Sequence, residues 1–245
     1  MKEQQIPKVI HYVWFGRGKK SPLIKHCIKS WRKVMPDYEV IEWNEDNFDV
    51  NMNTYCRQAY EKGKYAFAAD YARLWILYNH GGIYMDTDVA AFKSLEPFLS
   101  HTCFLGFEND KAIGTGLIGA IKGADTIGYL LDYYKDREFL DPNQPSGIDW
   151  TPNTVALTER LISKGLTLNS QFQEVNDLTV YPSIYFSDDS EGPDKYTTHY
   201  FVATWLPKNI QRKSARHRRV AAVKKRIRKF LGNEIYDKFK TVLRK

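Results

Sequence analysis

Two aspartates that are one residue apart, Asp86 and Asp88, follow the apolar run "GGIYM". On a strand, residues two apart point to the same side, so these two carboxylates would lie close together. Neighbouring carboxylates repel each other, and burying them without a partner is costly. A divalent cation removes that cost, and carboxylate oxygens suit Mn²⁺ or Mg²⁺. A solvated loop is the alternative place for such a pair, but the apolar residues before it favour a metal site that also uses the phosphates of a ligand.

A pair of opposite charges, Asp70 and Arg73, has the spacing of neighbours on one helix face. On a solvated helix such an ion pair contributes only ~0.2–0.5 kcal/mol to stability. The residues around this pair, in "AADYARL", are alanine, tyrosine and leucine. This setting indicates a buried pair.

The elements that must position these residues follow an alternating strand and helix pattern. A strand, a capped helix and a second strand open the chain, and this order predicts a right-handed parallel unit. The next helix carries Asp70 and Arg73 and ends near Gly81, and the third strand leads into the aspartates, at the edge where parallel sheets bind ligands. The predicted strands are residues 8–16, 38–44, 83–92, 103–108, 116–121, 178–186 and 196–205, and the predicted helices are residues 21–36, 65–81, 125–136 and 152–165.

Composition limits the classes of protein to consider. A chain of 245 residues with 43% hydrophobic residues can bury a sizeable core and form one or two domains. No apolar run reaches the ~18–20 residues that cross a bilayer, and the first residues lack the pattern of a signal peptide. The three cysteines are isolated, which predicts neither a disulfide framework nor a zinc site and fits a reduced cytoplasm.

The net charge of +7 comes from the end of the chain. Residues 208–245 contain fifteen Lys or Arg and two acidic residues, whereas residues 1–207 are mildly acidic. In "RRVAAVKKRIRKFLG" the apolar residues recur at helical spacing among Lys and Arg, as in a basic amphipathic helix. We therefore predict a domain at 1–207 and a helical tail at 208–245 that docks on an anionic membrane surface and does not bind nucleic acid.

Three ordered motifs carry a resemblance to a known family. "AADYARLWILYNHGGIYMDTDV", the opening "IPKVIHYVWFG" and the closing "THYFVATW" resemble the signatures of glycosyltransferase family 32 and the related large glucosylating toxins. The matches extend over residues 6–205. The resemblance implies an α/β GT-A fold, which is Rossmann-like with a mostly parallel central sheet, and a metal-dependent transfer from a nucleotide sugar with retention of anomeric configuration.

The resemblance also implies roles for single residues on the donor side. Trp14 would stack on the uracil of a UDP-sugar, and Tyr84 would line the ribose. Asp70 would hold sugar hydroxyls, and Arg73 would contact the donor sugar or phosphate, tasks that suit a rigid guanidinium fork. Asp86 would bridge the ribose, the sugar and the metal.

The remaining roles concern the metal, the pyrophosphate and the acceptor. Asp88 would ligate Mn²⁺ directly and His199 would complete the set, although the family's second histidine is Tyr200 in this chain. The predicted pyrophosphate contacts are Thr204 and Trp205. The predicted acceptor contacts are Asn109, Asp110, Thr115 and Trp150.

Together these features predict a retaining glycosyltransferase at the inner face of the cell membrane. It would move a hexose or N-acetylhexosamine from a UDP-sugar to a polyprenyl-diphosphate-linked oligosaccharide in capsular or lipopolysaccharide-type synthesis. One alternative is a mannosyltransferase that uses GDP-mannose. Another is a non-catalytic module that binds membrane or nucleic acid.

Overall fold

The computed structural model describes residues 5–187 and 192–202. In this part of the chain, strands and helices alternate through the first half. The strands are β1 Val9–Val13, β2 Glu39–Trp43, β3 Gly82–Met85, β4 Val89–Ala91, β5 Cys103–Asn109, β6 Ala112–Ala120, β7 Gln173–Val175, β8 Leu178–Tyr181 and β9 Thr197–His199. The helices are α1 Pro22–Val34, α2 Thr54–Glu61, α3 Tyr65–His80, α4 Asp125–Leu131, α5 Asn153–Ile162 and α6 Ser183–Phe186.

Seven strands form one large sheet in the order β2-β1-β3-β6-β5-β8-β7. Five of them run in the same direction, and β6 and β7 run against the rest. The predicted mixed fold with a mostly parallel sheet is therefore confirmed. A second, two-stranded sheet pairs β4 with β9 in antiparallel order.

Local sequence explains where the first elements begin and end. Ser21 caps α1 by accepting a hydrogen bond from the backbone N–H of Ile24, and Pro22 occupies the first turn. The helix α3 ends at Gly81, which has a positive φ of 68°, and Gly82 follows with a φ of 100°. These conformations favour glycine, and they let the chain turn from α3 directly into β3.

The predicted third strand, residues 83–92, is wrong in one respect. The strand breaks after Met85, the two aspartates lie in a turn, and the chain resumes as β4 in the other sheet. The backbone N–H of Val89 donates to the carbonyl oxygen of Asp86 and closes this turn. An apolar pattern cannot distinguish one long buried strand from two short ones that enter different sheets.

The predicted strand over residues 178–186 also differs from the structure. It ends at Tyr181, and Pro182 precedes the short helix α6. Proline has no N–H for a sheet ladder, so it favours the change.

The predicted domain boundary at 207 and the basic tail at 208–245 lie outside the described residues. Among the residues that the structure describes, no helix is long and apolar enough to cross a membrane.

Candidate active site

The turn between β3 and β4 carries Asp86 and Asp88 at the carboxyl edge of the large sheet. The strand β9 pairs with β4 so that His199 lies opposite Val89, the residue after Asp88. The Nε2 atom of His199 is 3.1 Å from Oδ1 of Asp88. Possible ligand atoms of Asp86, Asp88 and His199 all lie within 4.8 Å of one another. Two separate parts of the sequence thus supply one cluster.

A glycine on the neighbouring strand β6 makes this cluster possible. A Cβ atom at Gly116 would lie 2.9 Å from the His199 ring and 3.2 Å from Oδ2 of Asp86. The carbonyl oxygen of Gly116 also accepts the backbone N–H of Asp86 at 2.8 Å. The imidazole and the carboxylate can come this close to β6 because no side chain stands between them.

The predicted pair Asp70–Arg73 is buried below the turn. The Nη2 atom of Arg73 is 2.8 Å from Oδ1 of Asp70 and 3.3 Å from Oδ1 of Asp86. Its Nη1 atom donates to the carbonyl oxygen of Thr115 at 2.7 Å. The guanidinium therefore connects α3, the aspartate turn and β6, and it holds positive charge next to the two carboxylates.

Burial and the neighbouring charges together set the ionisation of these residues. It raises the pKa of Asp70 to about 7, against the opposing effect of Arg73. Burial alone would lower the pKa of Arg73, but Asp86, Tyr84 and Asp70 raise it above its usual value. Burial also lowers the pKa of His199, and the hydrogen bond and charge of Asp88 more than offset this, so that the net shift is upward.

Tyr84 and Trp14 are two of the predicted donor contacts. The Tyr84 hydroxyl donates to Oδ1 of Asp86 at 3.0 Å, and its ring lies 4.8 Å from the Arg73 guanidinium. Trp14 is half-buried directly after β1, where its indole N–H donates to the carbonyl oxygen of Gly18 at 2.7 Å. Their roles towards the uracil and the ribose stay predictions.

His11 is a buried structural residue on β1. It is 2% exposed, its Nε2 atom is 2.9 Å from the carbonyl oxygen of Gly81, and its Nδ1 atom accepts from the indole N–H of Trp43. Burial lowers its pKa to about 4. A neutral imidazole there supports the turn from α3 into β3.

The four predicted acceptor residues occupy different environments. Asn109 and Asp110 are exposed on the hairpin between β5 and β6. Thr115 is buried behind Arg73, and its hydroxyl donates to Asn153 at 3.2 Å. Trp150 packs 5.8 Å from the ring of Phe67. Contact with an acceptor stays a prediction for all four.

The predicted pyrophosphate contacts, Thr204 and Trp205, lie outside the described residues. Sequence reasoning missed Glu108, near the end of β5. Burial raises the pKa of Glu108, His199 lowers it and Asp86 raises it, so this carboxylate lies within electrostatic range of the cluster. The signal was available, because Glu108 follows the apolar run "CFLGF" as Asp86 follows "GGIYM".

The cluster fits a divalent cation. Two carboxylates from the turn after β3 and an imidazole from β9 converge, and this donor set suits Mn²⁺ or Mg²⁺. The contact between Nε2 of His199 and Asp88 brings the two sheets together at the cluster. Asp86, Asp88 and His199 are therefore the candidate ligands of a divalent metal.

Known proteins with similar sequences include glycosyltransferases. The family model described as "Glycosyltransferase sugar-binding region containing DXD motif" matches residues 21–105, which include both aspartates of the turn and the Asp70–Arg73 pair. An uncharacterised glycosyltransferase of Acanthamoeba polyphaga mimivirus is 27% identical over 217 residues, covering 82% of this chain and 84% of that protein. Inositol phosphoceramide mannosyltransferase 3 of Schizosaccharomyces pombe is 30% identical over 125 residues.

Coverage and fold complete the comparison. The match to the yeast mannosyltransferase covers 48% of this chain and 34% of that protein. Among solved structures, the glycosyltransferase PaToxG is similar with a TM-score of 0.51 and 22% identity, covering 66% of this chain and 70% of that one. This likeness supports the GT-A fold, and the sequence matches favour an enzyme over a non-catalytic module. The chain is therefore a glycosyltransferase with a GT-A fold, and its residues 21–105 are similar to the DXD sugar-binding region of known glycosyltransferases.

Proposed function

We propose that this glycosyltransferase is a metal-dependent, retaining enzyme that transfers a hexose or N-acetylhexosamine from a UDP-sugar to a lipid-linked oligosaccharide. The product would belong to capsular or lipopolysaccharide-type synthesis. The observation that carries the proposal is the cluster of Asp86, Asp88 and His199 directly above the buried Asp70–Arg73 pair. The cluster would hold Mn²⁺ or Mg²⁺.

Breaking the bond between C1 of the sugar and UDP leaves growing negative charge on the diphosphate. A bound divalent cation supplies charge neutralisation there without proton transfer. The chain's own contribution is a preorganised cation, because Arg73 is held on three sides by Asp70, Asp86 and Thr115. Such a fixed guanidinium stabilises developing charge without the cost of reorganisation.

Retention of configuration can follow from attack on the same face that the diphosphate leaves. The acceptor oxygen forms a bond to C1 as the bond from C1 to the phosphate oxygen breaks. The acceptor hydroxyl proton passes to the departing phosphate oxygen, so that no carboxylate nucleophile is needed. Asp70 would position sugar hydroxyls in this arrangement, since Asp70 and Asp86 both form ion pairs with the Arg73 guanidinium.

A second candidate is a mannosyltransferase that uses GDP-mannose. The matched yeast proteins are named mannosyltransferases and their names give a lipid, inositol phosphoceramide, as acceptor. These names favour a mannosyl donor and also support a lipid-borne acceptor for this chain. A peripheral position at the cytoplasmic face of a membrane, mediated by residues 208–245, would bring the enzyme to such an acceptor.

A panel of UDP-sugars and GDP-mannose with Mn²⁺, scored by nucleotide release, tests the proposal. Release of UDP from one or more UDP-sugars supports it, whereas release from GDP-mannose alone selects the second candidate. No release from any donor, with or without Mn²⁺, contradicts both. A chain ending at residue 207 tests the membrane part, because it should keep donor hydrolysis and lose binding to vesicles that contain anionic lipid.

A further inference from the structure

A cleft outside the metal cluster lies between the end of α4 and the helix α5. Its volume is about 470 Å³, within the range of ~300–1,000 Å³ typical of small-molecule sites. Tyrosine rings and guanidinium groups dominate its walls. The lining residues used below are Tyr129, Tyr133, Arg137 and Arg160.

The guanidinium groups are stacked on the tyrosines. The Cζ atom of Arg160 lies 4.2 Å from the ring centre of Tyr129, and Cζ of Arg137 lies 4.3 Å from that of Tyr133. Stacking of this kind fixes the orientation of an arginine before a ligand binds. Each guanidinium therefore covers one tyrosine ring, and the cleft wall carries two cations in fixed orientations.

Among the residues that the structure describes, Arg160 forms no ion pair with a carboxylate. Arg137 is paired with Asp149, whereas the contact that orients Arg160 is a hydrogen bond from Nη2 to the carbonyl oxygen of Tyr129 at 2.8 Å. The Nε atom of Arg160 is buried and makes no hydrogen bond within the described residues. The ammonium of Lys164, 4.5 Å from the Tyr129 ring, adds positive charge at the rim.

The cleft is joined to the donor site by two short chains of contacts. The helix α5, which carries Arg160, begins at Asn153, and Asn153 accepts a hydrogen bond from Thr115, the residue whose carbonyl oxygen holds Arg73. On the other side, Cζ of Arg137 lies 5.9 Å from the ring of Tyr55.

From Tyr55 the second chain reaches the neighbour of Asp70 through three successive rings. The ring of Tyr55 is 5.0 Å from that of Tyr134, and Tyr134 is 6.0 Å from Tyr71, the neighbour of Asp70. The cleft therefore lies on the far side of these buried rings from Asp70.

We propose that this cleft is an acceptor subsite that binds a saccharide carrying an anionic group, a carboxylate or a phosphate. The tyrosine side chains would contact the sugar ring, and the Arg160 guanidinium would bind the anion. The proposal rests on the glycosyltransferase function given above, since it assigns the acceptor of that reaction. It adds a chemical class, an acidic glycan, to the acceptor.

Binding to the full-length protein can be measured by NMR titration with glucuronic acid and glucose 6-phosphate. Glucose is the uncharged control, and inorganic phosphate is the control without a sugar. We expect both anionic sugars to bind at least about tenfold more tightly than either control, because a charge-assisted hydrogen bond and a contact between the sugar ring and a tyrosine act together. Equal binding of glucose, or binding of phosphate as tight as that of the anionic sugars, would overturn the proposal.

The variant Arg160→Gln should weaken both anionic sugars by about tenfold or more. Arg57→Gln removes the same charge from exposed α2 and should leave binding unchanged. Arg160→Lys keeps the positive charge but loses the planar guanidinium, which donates two hydrogen bonds at once, and should give an intermediate affinity for the anionic sugars. Melting temperatures of all variants separate a folding defect from a binding defect.

Donor hydrolysis without acceptor distinguishes this inference from the proposed function. If hydrolysis is normal in Arg160→Gln and anionic sugars bind no less tightly than in Arg57→Gln, the cleft assignment is wrong and the enzyme assignment stands. If no variant or wild-type protein hydrolyses any donor, the proposed function fails, and the cleft loses its role as an acceptor subsite with it.

Discussion

Removal of the Arg73 guanidinium should destabilise the protein in a pH-dependent way. The variant Arg73→Met has similar length but no charge, so it leaves the buried carboxyl of Asp70 without its partner at 2.8 Å. Breaking a buried pair from one side costs about 3–5 kcal/mol, which is a large share of a typical total of ~5–15 kcal/mol. The lost hydrogen bond to Thr115 is included in this figure.

The pH dependence follows from Asp70. Burial already raises the pKa of Asp70 to about 7, above its usual value, so Asp70 binds a proton more readily in the folded protein than in the unfolded chain. The stability that this proton contributes is present at low pH and is lost as the pH rises through the folded pKa. Without Arg73 the pKa of Asp70 rises further, and each unit of that rise adds about 1.4 kcal/mol to the loss at high pH.

Urea unfolding at pH 6 and pH 9 measures this effect. The difference between wild type and Arg73→Met should be smaller at pH 6, where Asp70 is protonated in both, and should grow by about 1 kcal/mol or more at pH 9. The double variant Asp70→Asn with Arg73→Met should regain at least about 1 kcal/mol at pH 9, since no unpaired Asp70 charge remains. A loss that is equal at both pH values, or a double variant no more stable than Arg73→Met, would refute the reasoning.

Three further predictions concern the metal cluster and its support. Asp88→Asn should lower metal-dependent nucleotide release about 100-fold or more, and unchanged release would rule out the metal assignment. Gly116→Ala should weaken Mn²⁺ binding about tenfold, because the new Cβ would lie 2.9 Å from the His199 ring. Gly18→Ala is the control, since its Cβ meets nothing within 4 Å, and it should leave Mn²⁺ binding unchanged in a calorimetric titration. Burial lowers the pKa of His11 to about 4, so the unfolded chain takes up a proton before the folded protein does, and wild type should lose about 3 kcal/mol of stability as the pH falls from about 6.5 to 4. His11→Gln should not show this loss. Unfolding free energies that fall equally with pH in both proteins would contradict this.

The first half of the fold could be predicted from sequence because its signals are local. The cap at Ser21 and the glycines after α3 act within one or two turns of chain, and the structure has helix ends there. The helix α2, Thr54–Glu61, was not predicted, although Asn53 caps it by accepting from Cys56. Its pattern is short and its neighbours are polar, so its formation depends on packing against α3.

The donor side of the site could be predicted further than the acceptor side. The pairing of Asp70 with Arg73 follows from their spacing on one helix, whereas the contact between Arg73 and Asp86 depends on how α3 packs beside the turn after β3. The cleft at Arg160 could not be found in the same way, because its arginines and tyrosines come from separate turns and lack a fixed spacing. Its stacking contacts arise only when α4 and α5 pack side by side.

The break in the third strand explains why the two aspartates are adjacent to a histidine more than a hundred residues later. If the strand had continued, both carboxylates would remain within the large sheet, and β4 would not leave it to pair with β9. Because the chain turns at Asp86, the residue Val89 can pair with His199 in a second sheet. A cation held by the cluster would then tie the two sheets together, so we expect Mn²⁺ to slow hydrogen exchange in β4 and β9 more than in β1, measured by mass spectrometry in wild type and in Asp88→Asn. Equal protection of all three strands, or the same protection in Asp88→Asn, would show that the turn does not couple the sheets through the ion.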